Sequence, residues 1–258
     1  MMGKSYKPRF GSSWDEDRNS TENRWSSTFW GYEVTGRFQN YEEIQNYPVD
    51  NDGQGNSTML PGDFIYKDFN NDGVINHLDE RPIAYGAGEL PYINFSLISA
   101  FEWKGFDLKM DWNGAAGQSY EMNWEVAYPF QGDGNSTKYL LTDSWHRSDP
   151  TDSQSEWISG EFPATRYAGN NVSFTRRSDF WVKKVWYLKL RTLELGYTLP
   201  TTFTHKFHVN RMRFYINSYN LFSIDNMSKY QLDPEIISNN ALVTPNLRTF
   251  TFGVNLTF

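Results

Sequence analysis

Residues 68–79, with the sequence DFNNDGVINHLD, have the spacing of an EF-hand type calcium loop. Side-chain oxygens at alternating positions of such a loop turn inward as the chain coils around a hard cation. Gly73 allows the sharp turn, and position 74 contributes its backbone carbonyl. The sequence therefore predicts a structural Ca²⁺ whose ligands are Asp68, Asn70, Asp72, Val74, Asn76 and Asp79.

The last position of this loop departs from the EF-hand pattern. Asp79 stands where Glu is usual, and its shorter carboxylate reaches a central ion less easily. No amphipathic helix flanks the loop in the sequence, so the site would be an isolated loop and not a paired EF-hand. The alternative is an Asx-rich turn, in which the same side chains bind the backbone and do not converge on one point.

Aromatic residues between positions 115 and 178 form a second candidate site. This segment is rich in Gly, Asn, Ser, Asp and Trp and has little periodicity. Exposed rings stack on the apolar faces of sugars while nearby Asp, Asn and Gln bind hydroxyl groups, which suits the capture of a glycan or a peptide. The alternative is that the rings fold the segment onto itself or pack against a partner protein. The candidate substrate contacts are Trp124, Tyr128, Trp145, Trp157 and Tyr167.

Composition argues against several other kinds of chemistry. The 258 residues include no cysteine, which excludes a thiolate metal site, a disulfide and a cysteine nucleophile. The four histidines form no His-x-x-x-His pair, and no nucleophile-elbow, Walker or dinucleotide-binding glycine pattern occurs in the sequence. The net charge of −7 and the lack of Lys/Arg clusters argue against nucleic acid as a partner. We therefore expect neither an enzyme nor a nucleic-acid-binding protein.

Five stretches of the sequence alternate between apolar and polar residues, which is the period of a β-strand. YINFSLISAFEWKG and FDLKMDWNG are joined by a predicted tight turn at Lys104 and Gly105. KVWYLKLRTLELGYTLP, RMRFYINSYNLF and RTFTFGVNLTF follow further along the chain. In the first of these three the apolar positions change parity, so we predict a β-bulge, with the extra residue near Arg191 and Thr192.

The connections between these strands are alternately short and long. Strands of roughly ten residues that meet oil on one face and water on the other are typical of transmembrane β-barrels. Half of each strand would then be wet, which accounts for the mean hydropathy of −0.67. The predicted fold is all-β, with antiparallel strands forming a partial (incomplete) transmembrane β-barrel with long extracellular loops. The predicted domains are an extracellular-loop region at 1–91, which contains the loop at 68–79, and barrel strands and loops at 92–258.

A secreted, calcium-stabilised β-sandwich that binds carbohydrate is the alternative, since its strands also alternate. The two folds differ in where the apolar side chains lie. A barrel presents them to lipid as a continuous belt, whereas a sandwich buries them between two sheets. The residues whose exposure distinguishes the two folds are Phe95, Leu97, Phe101, Leu108, Met110, Leu195, Phe214, Phe252 and Val254.

The final strand carries a further pattern. Its apolar residues alternate up to the last residue of the sequence, which resembles the recognition signal of the outer-membrane assembly machinery. The alternative is an ordinary edge strand. The predicted assembly signal consists of Phe250, Phe252, Val254, Leu256 and Phe258.

Seven stretches together resemble the C-terminal part of SusC/RagA-like TonB-dependent outer-membrane transporters, nearly throughout the chain beyond about Arg24. They are GYEVTGRFQNYEEIQNY, PGDFIYKDFNNDGVINHLDERPIAYG, LLTDSWHRSDPTD, SDFWVKKVWYLKLRTLELGYTLP, MRFYINSYNLFSI, YQLDPE and PNLRTFTFGVNLTF. The third departs from the family, because His146 and Arg147 stand where Thr-Pro is usual.

This resemblance implies a location in the cell outer membrane and the import of oligosaccharides or, in some relatives, peptides. It also implies three further partners, which are TonB acting through a plug region, the assembly machinery and a SusD-like surface lipoprotein over the extracellular loops. Family members are longer and contain a plug and a complete barrel. The sequence is therefore expected to be a C-terminal fragment that supplies barrel wall, extracellular loops and the assembly signal.

Overall fold

The computed structural model describes residues 28–86, 91–167, 171–236, 243–244 and 246–258. Contacts between residues divide the chain into two compact units. Unit 1 comprises Met1–Leu90, Gln118–Lys184 and Ile237–Leu242, and unit 2 comprises Pro91–Gly117, Val185–Ile236 and Val243–Phe258. This division differs from the predicted boundary after residue 91, because residues 118–184 join the unit that precedes it. The first 27 residues of the predicted extracellular-loop region lie outside the described residues.

Strands dominate the part of the chain that the structure describes. In chain order they are β1 (Thr28–Gly31), β2 (Val34–Arg37), β3 (Phe64–Tyr66), β4 (Arg81–Tyr85), β5 (Ile93–Trp103), β6 (Phe106–Glu121), β7 (His146–Arg147), β8 (Trp157–Ile158), β9 (Val182–Thr198), β10 (Arg211–Asp225) and β11 (Thr249–Thr257). Short helices connect them, namely α1 (Tyr41–Asn46), α2 (Lys138–Thr142), α3 (Val172–Thr175) and α4 (Thr201–Thr204). Among the described residues, no helix has the length and apolar character needed to cross a membrane.

The five long strands form one sheet in the order β11-β10-β9-β6-β5. The β5–β6, β9–β10 and β10–β11 pairs are antiparallel, and the five strands are those that the alternation predicted. Lys104 (φ 49°) and Gly105 (φ 88°) both have left-handed backbone, as a two-residue hairpin turn requires. A Cβ on Gly105 would lie 2.8 Å from the Thr198 carbonyl oxygen, so this position has no room for a side chain. The predicted tight turn is confirmed.

The register between β9 and β10 shifts where the parity of β9 changes. Thr192 pairs with Tyr219, and Leu190 pairs with Phe222. One residue of β9 therefore faces two residues of β10, one of which is Asn220 with φ 51°. The predicted position of the bulge is confirmed, but the predicted strand is wrong. The extra residue lies in β10, because an Asn adopts left-handed backbone more readily than Arg191 or Thr192.

Unit 1 has an aromatic core that the sequence pattern did not predict. Trp181 is 1% exposed, and its ring centroid lies 4.8 Å from that of Phe180, 5.8 Å from Phe174 and 5.9 Å from Phe162. The indole N–H donates to the Ser173 carbonyl oxygen at 2.7 Å. These rings occur at irregular spacing, so neither strand nor helix periodicity reveals them. These four rings therefore belong to the core of unit 1, in which Phe64 also contacts the Phe180 ring, at 4.7 Å between centroids.

Asp63, from the PGDFIY stretch, ties two parts of unit 1 together. Its buried carboxylate pairs with Arg166 and accepts the Leu60 N–H at 2.7 Å. The guanidinium of Arg37 lies nearby over the Phe64 ring, 4.7 Å from its centroid. Burial lowers the pKa of Arg37 to about 10, and the neighbouring Asp63 carboxylate opposes that shift. Through Asp63, the PGDFIY stretch therefore stabilises the packing of unit 1.

Replacing Gly62 with alanine is expected to destabilise the protein by about 1–3 kcal/mol. Gly62 has φ 92°, and a Cβ there would lie 2.3 Å from Cγ of Trp145. Gly53→Ala is a matched control, since Gly53 also has positive φ (74°) but no atom within 4 Å of the added Cβ. Urea unfolding of both variants checks the prediction. Equal losses would show that backbone strain alone matters and that the Trp145 contact does not.

Candidate functional site

One face of the long-strand sheet is apolar and open to the surroundings. Across β9, β10 and β11, Leu195 pairs with Ile216 and Ile216 with Phe252, and the next apolar row contains Phe214 and Val254. Phe252 is 77% exposed. Side chains of alternate residues in a strand point to opposite faces, so these rows share one face.

The belt residues named from the sequence lie on this apolar face. Phe95, Leu97, Phe101, Leu195, Phe214, Phe252 and Val254 are exposed, and Leu108 and Met110 are half-buried. A β-sandwich would bury them between sheets, so the sandwich alternative is wrong. The structure instead has the exposed apolar face that a barrel wall requires.

The opposite face carries an ion-pair network that joins three strands. Arg213 on β10 donates its Nε–H to Asp107 on β6 at 2.9 Å and pairs with Glu194 on β9 at 2.7 Å. A Cβ on Gly196 would lie 2.4 Å from the Arg213 guanidinium, so the glycine provides the space for that side chain. Lys109 adds a further charge to an open recess of about 560 Å³ beside this network. The charged groups on this face favour contact with water.

A second network holds a loop against β9. Lys189 is buried, and its Nζ contacts Asp233 at 2.5 Å and Glu235 at 2.9 Å. Arg191 also pairs with Glu235. Both carboxylates belong to the YQLDPE stretch, which the sequence marked only by its resemblance. An uncompensated buried lysine is costly, so this stretch fixes the start of the loop between β10 and β11.

The predicted substrate contacts fall into different surroundings. Trp124 is 50% exposed with φ 55°, and its ring centroid lies 6.5 Å from that of Tyr128. Trp145, in contrast, is 5% exposed and packs against Gly62. The structure therefore brings Trp124 and Tyr128 together as a surface pair and places Trp145 in the core of unit 1.

The other two candidates make polar or cationic contacts. The ring of Trp157 lies under the Arg147 guanidinium, 4.9 Å from its centroid, and beside Tyr41. Tyr167 is exposed and donates its hydroxyl to an Asp133 carboxylate oxygen at 2.5 Å. A substrate role for the five aromatic residues stays a prediction.

The carboxylates of the 68–79 loop bind the loop backbone. Asp79 is fully buried and accepts the N–H groups of Phe69 and Asn76, each at 2.9 Å. Asp68 accepts the Gly73 N–H at 2.9 Å. In the described residues, no group of three or more His, Asp or Glu side chains is arranged to hold a metal ion. These contacts match the Asx-turn alternative.

The middle of the loop follows the same pattern. Asp72 accepts the Val74 N–H and the Asn70 side-chain amide, at 2.9 and 2.8 Å. The Val74 N–H, followed by the Asn70 amide, lowers the pKa of the Asp72 carboxyl. Asn76 donates its amide to the Val74 carbonyl oxygen at 3.2 Å, so that oxygen is already engaged. Calcium binding by these six residues stays a prediction.

Calcium at about 100 times its dissociation constant is expected to stabilise the chain by about 2.7 kcal/mol if the loop binds it. Asp72→Asn should remove that gain, because it deletes the charge of a predicted ligand. Asp149→Asn is the matched control, since Asp149 also accepts a backbone N–H in a turn, from Thr151 at 2.9 Å. Thermal unfolding in the presence of calcium or of a chelator measures the effect. An unfolding temperature that is the same in both conditions would contradict calcium binding and would support the Asx turn alone.

The residues of the predicted assembly signal lie on β11 or directly after it. Phe250, Phe252, Val254, Leu256 and Phe258 are all exposed. β11 stands at the end of the strand order and pairs with β10. Recognition by the assembly machinery stays a prediction.

Sequence reasoning missed both charge networks. Asp107, Glu194 and Arg213 could each be assigned to the polar face by alternation, but their meeting depends on strand order and register. Arg213 and Asp107 are separated by 106 positions in the sequence. The YQLDPE stretch, which contains both carboxylates of the Lys189 network, was marked in the sequence by the family resemblance alone, and that resemblance predicted no ion pair.

No family model matches the chain. It is 25% identical over 246 residues to TonB-dependent receptor P3 of Formosa agariphila, a match that covers 90% of this chain and 22% of the relative. TonB-dependent receptor P26 of the same organism is 24% identical over 242 residues, which cover 89% of this chain and 22% of the relative. The chain thus spans about a fifth of the length of these curated relatives.

Solved structures of a peptide importer share the fold. A chain of the RagAB peptide importer in the open-open state covers 90% of this chain with TM-score 0.54 and 19% identity. A chain of the RagAB peptide transporter covers 92% with TM-score 0.55 and 17% identity. This chain covers 22% and 23% of those two chains.

The antiparallel sheet, apolar on one face and polar on the other, has the fold of the TonB-dependent receptor barrel and forms an open sheet within the described residues. The all-β prediction is confirmed. The chain is similar to SusC/RagA-like TonB-dependent receptors over about nine-tenths of its length, and the predicted resemblance is likewise confirmed.

Proposed function

We propose that this chain forms part of the wall of an outer-membrane receptor that imports nutrients. The observation that carries the proposal is the exposed apolar face of the five-stranded sheet. Moving that face into hydrocarbon is favourable by about 25 cal/mol per Å² of apolar surface, and the face with Arg213 would remain in water. In lipid a sheet edge needs backbone partners, so β5 and β11 would pair with other strands of the receptor.

The proposed cargo is an oligosaccharide or a peptide. The sequence resembles a family that takes up either class, and the similar solved structures are described as a peptide importer. Energy would come through TonB by way of a plug region. A SusD-like surface lipoprotein would cap the extracellular loops. The proposal is for a receptor and not for an enzyme.

Trp124→Ala is expected to raise the KM of uptake about fivefold, because losing one aromatic contact with the substrate is worth about 1 kcal/mol. Trp124 is 50% exposed, and its ring is paired with that of Tyr128, a second candidate contact. The matched control is Trp186→Ala, since Trp186 is 47% exposed and is not one of the candidate substrate contacts. Initial uptake rates over a range of substrate concentrations measure the effect. An unchanged KM in the Trp124 variant would remove this residue from the proposed substrate site.

Deleting the coding segment for this chain in the producing bacterium tests the proposed function. We expect the chain in the outer-membrane fraction, and we expect its loss to abolish growth on either peptides or oligosaccharides as the sole nutrient. A protonophore should stop the same uptake in the parent strain, because the energy would come from the inner membrane. Normal growth of the deletion strain on both nutrient classes would contradict the proposal.

A further inference from the structure

The open recess on the polar face of the sheet lies at the end of the strands that has the Lys104–Gly105 turn. Its volume of about 560 Å³ is within the range of ligand-binding clefts. Three strands each line it with two residues that are two positions apart, and such residues share one face of a strand. These pairs are Asp107 and Lys109 on β6, Arg211 and Arg213 on β10, and Asn255 and Thr257 on β11.

Strand β9 separates the basic residues of β6 from those of β10. The three strands are neighbours in the order β10-β9-β6, so the backbones that carry Arg211 and Lys109 lie about 10 Å apart, which is two strand spacings. Between them, β9 contributes the short side chain of Thr198, which pairs in register with Arg213. The recess is therefore a trough with a low floor and long basic side chains on both sides.

Basic side chains outnumber acidic ones around the recess, although the chain as a whole has a net charge of −7. Glu194 also reaches this region through its ion pair with Arg213, and positive charge remains in excess when Glu194 is included. The charged residues that line the recess are the basic Lys104, Lys109, Arg211 and Arg213 and the acidic Glu102 and Asp107.

Two of the four cations, Lys109 and Arg211, remain available to a ligand. Arg213 is already held by two carboxylates, and the Lys104 ammonium lies over the Trp103 ring, 4.9 Å from its centroid. Lys109 and Arg211 are exposed, and neither makes an ion pair within the described part of the chain. An ammonium group and a guanidinium group both bind carboxylates through charge-assisted hydrogen bonds.

We propose that this recess binds a carboxylate-bearing cargo, with Lys109 and Arg211 each contacting a carboxylate. The inference rests on the proposed function, in which the polar face of the sheet lines the water-filled interior of the receptor. It narrows the proposed cargo to the anionic members of its two classes, which are oligosaccharides of uronic acids and acidic peptides. A cargo with carboxylates on two of its units spans the trough between β6 and β10.

Calorimetric titration of the purified receptor that contains this chain tests the inference with two pairs of probes. Tri-galacturonate is compared with its methyl ester, and a pentapeptide with two glutamates is compared with its glutamine analogue. We expect the carboxylate form to bind more tightly in one of the two pairs, and that pair identifies the class of cargo. Lys109→Gln and Arg211→Gln should each weaken this binding about fivefold, and the double variant about 25-fold, as expected for the loss of exposed ion pairs.

The matched control is the double variant Lys138→Gln and Arg248→Gln. It also removes one lysine and one arginine that are exposed, but neither residue lines the recess. The control should bind the carboxylate probe as tightly as the parent receptor does. Equal weakening in the two double variants would overturn the inference, because the net charge of the chain would then explain the binding.

Two further results would also overturn the inference. One is a parent receptor that binds neither carboxylate probe more tightly than its neutral partner. The other is tight carboxylate binding that survives the loss of both Lys109 and Arg211. In either case the proposed function would stand if the deletion strain still lost growth on peptides or oligosaccharides, so the two failures are distinguishable.

Discussion

The double substitution Ile216→Arg and Phe252→Arg is expected to prevent stable insertion of the sheet into a bilayer. The two residues are register partners on β10 and β11 and lie on the apolar face. One arginine facing lipid near the membrane midplane costs about 2–4 kcal/mol, so the pair should cost roughly 4–8 kcal/mol. Guanidinium titration of the receptor that contains this chain, folded in lipid vesicles, measures this loss.

The matched control is arginine at both Asn217 and Thr251. These residues are also register partners, one position further along the same two strands, and they lie on the polar face. The control also places two arginines directly opposite each other on β10 and β11, so repulsion between the arginines acts in both variants. It should insert nearly as well as the parent chain. Equal losses in the two variants would contradict the assignment of one face to lipid and the other to water.

Trp181→Ala is expected to destabilise the fold by about 3–5 kcal/mol, the usual loss for truncating a buried tryptophan. Three phenylalanine rings lie within 6 Å of its ring centroid and would line the resulting cavity. The substitution also leaves the Ser173 carbonyl without the indole N–H. Chemical denaturation followed by fluorescence and by far-UV circular dichroism measures the change.

Trp124→Ala makes the same chemical change at a half-exposed position. We expect it to alter stability by less than about 0.5 kcal/mol, as for most surface substitutions. Comparable losses in the two variants would mean that the cluster around Trp181 is not the element that stabilises unit 1.

Local periodicity was enough to predict the long strands. Apolar and polar residues alternate with period two between Ile93 and Trp112 and again in the last strand. This alternation predicts which side chains lie on each face of the sheet. The hairpin turn at Lys104 and Gly105 was also readable, because few residue pairs tolerate left-handed backbone at both positions. The sequence predicted the position of the bulge along the β9–β10 pair correctly but assigned the extra residue to the wrong strand. A parity change in one strand does not show which of the two paired strands carries the extra residue.

Contacts between residues far apart in the chain could not be predicted from the sequence. Arg213 meets Asp107 and Glu194 only because β6, β9 and β10 are neighbours in the right register. Trp145 was a candidate substrate contact on composition alone, yet it fills space beside Gly62. An aromatic-rich segment can build a surface or a core, and burial distinguishes the two. Several stretches that carried the family resemblance hold ion pairs, among them the pair of Asp63 with Arg166 and the pair of Glu235 with Lys189.

An accessibility scan along β10 and β11 is the most direct test of the central claim that one face of this sheet meets lipid. Single cysteines would replace each residue from 212 to 218 and from 250 to 256 in the vesicle-inserted receptor that contains this chain. A dye on each cysteine would be read against lipid-bound and aqueous quenchers. We expect strict alternation, with lipid quenching at Phe214, Ile216, Phe252 and Val254 and aqueous quenching at the residues between them. Shielding of these four positions from both quenchers would contradict it, because the apolar face would then be buried in protein.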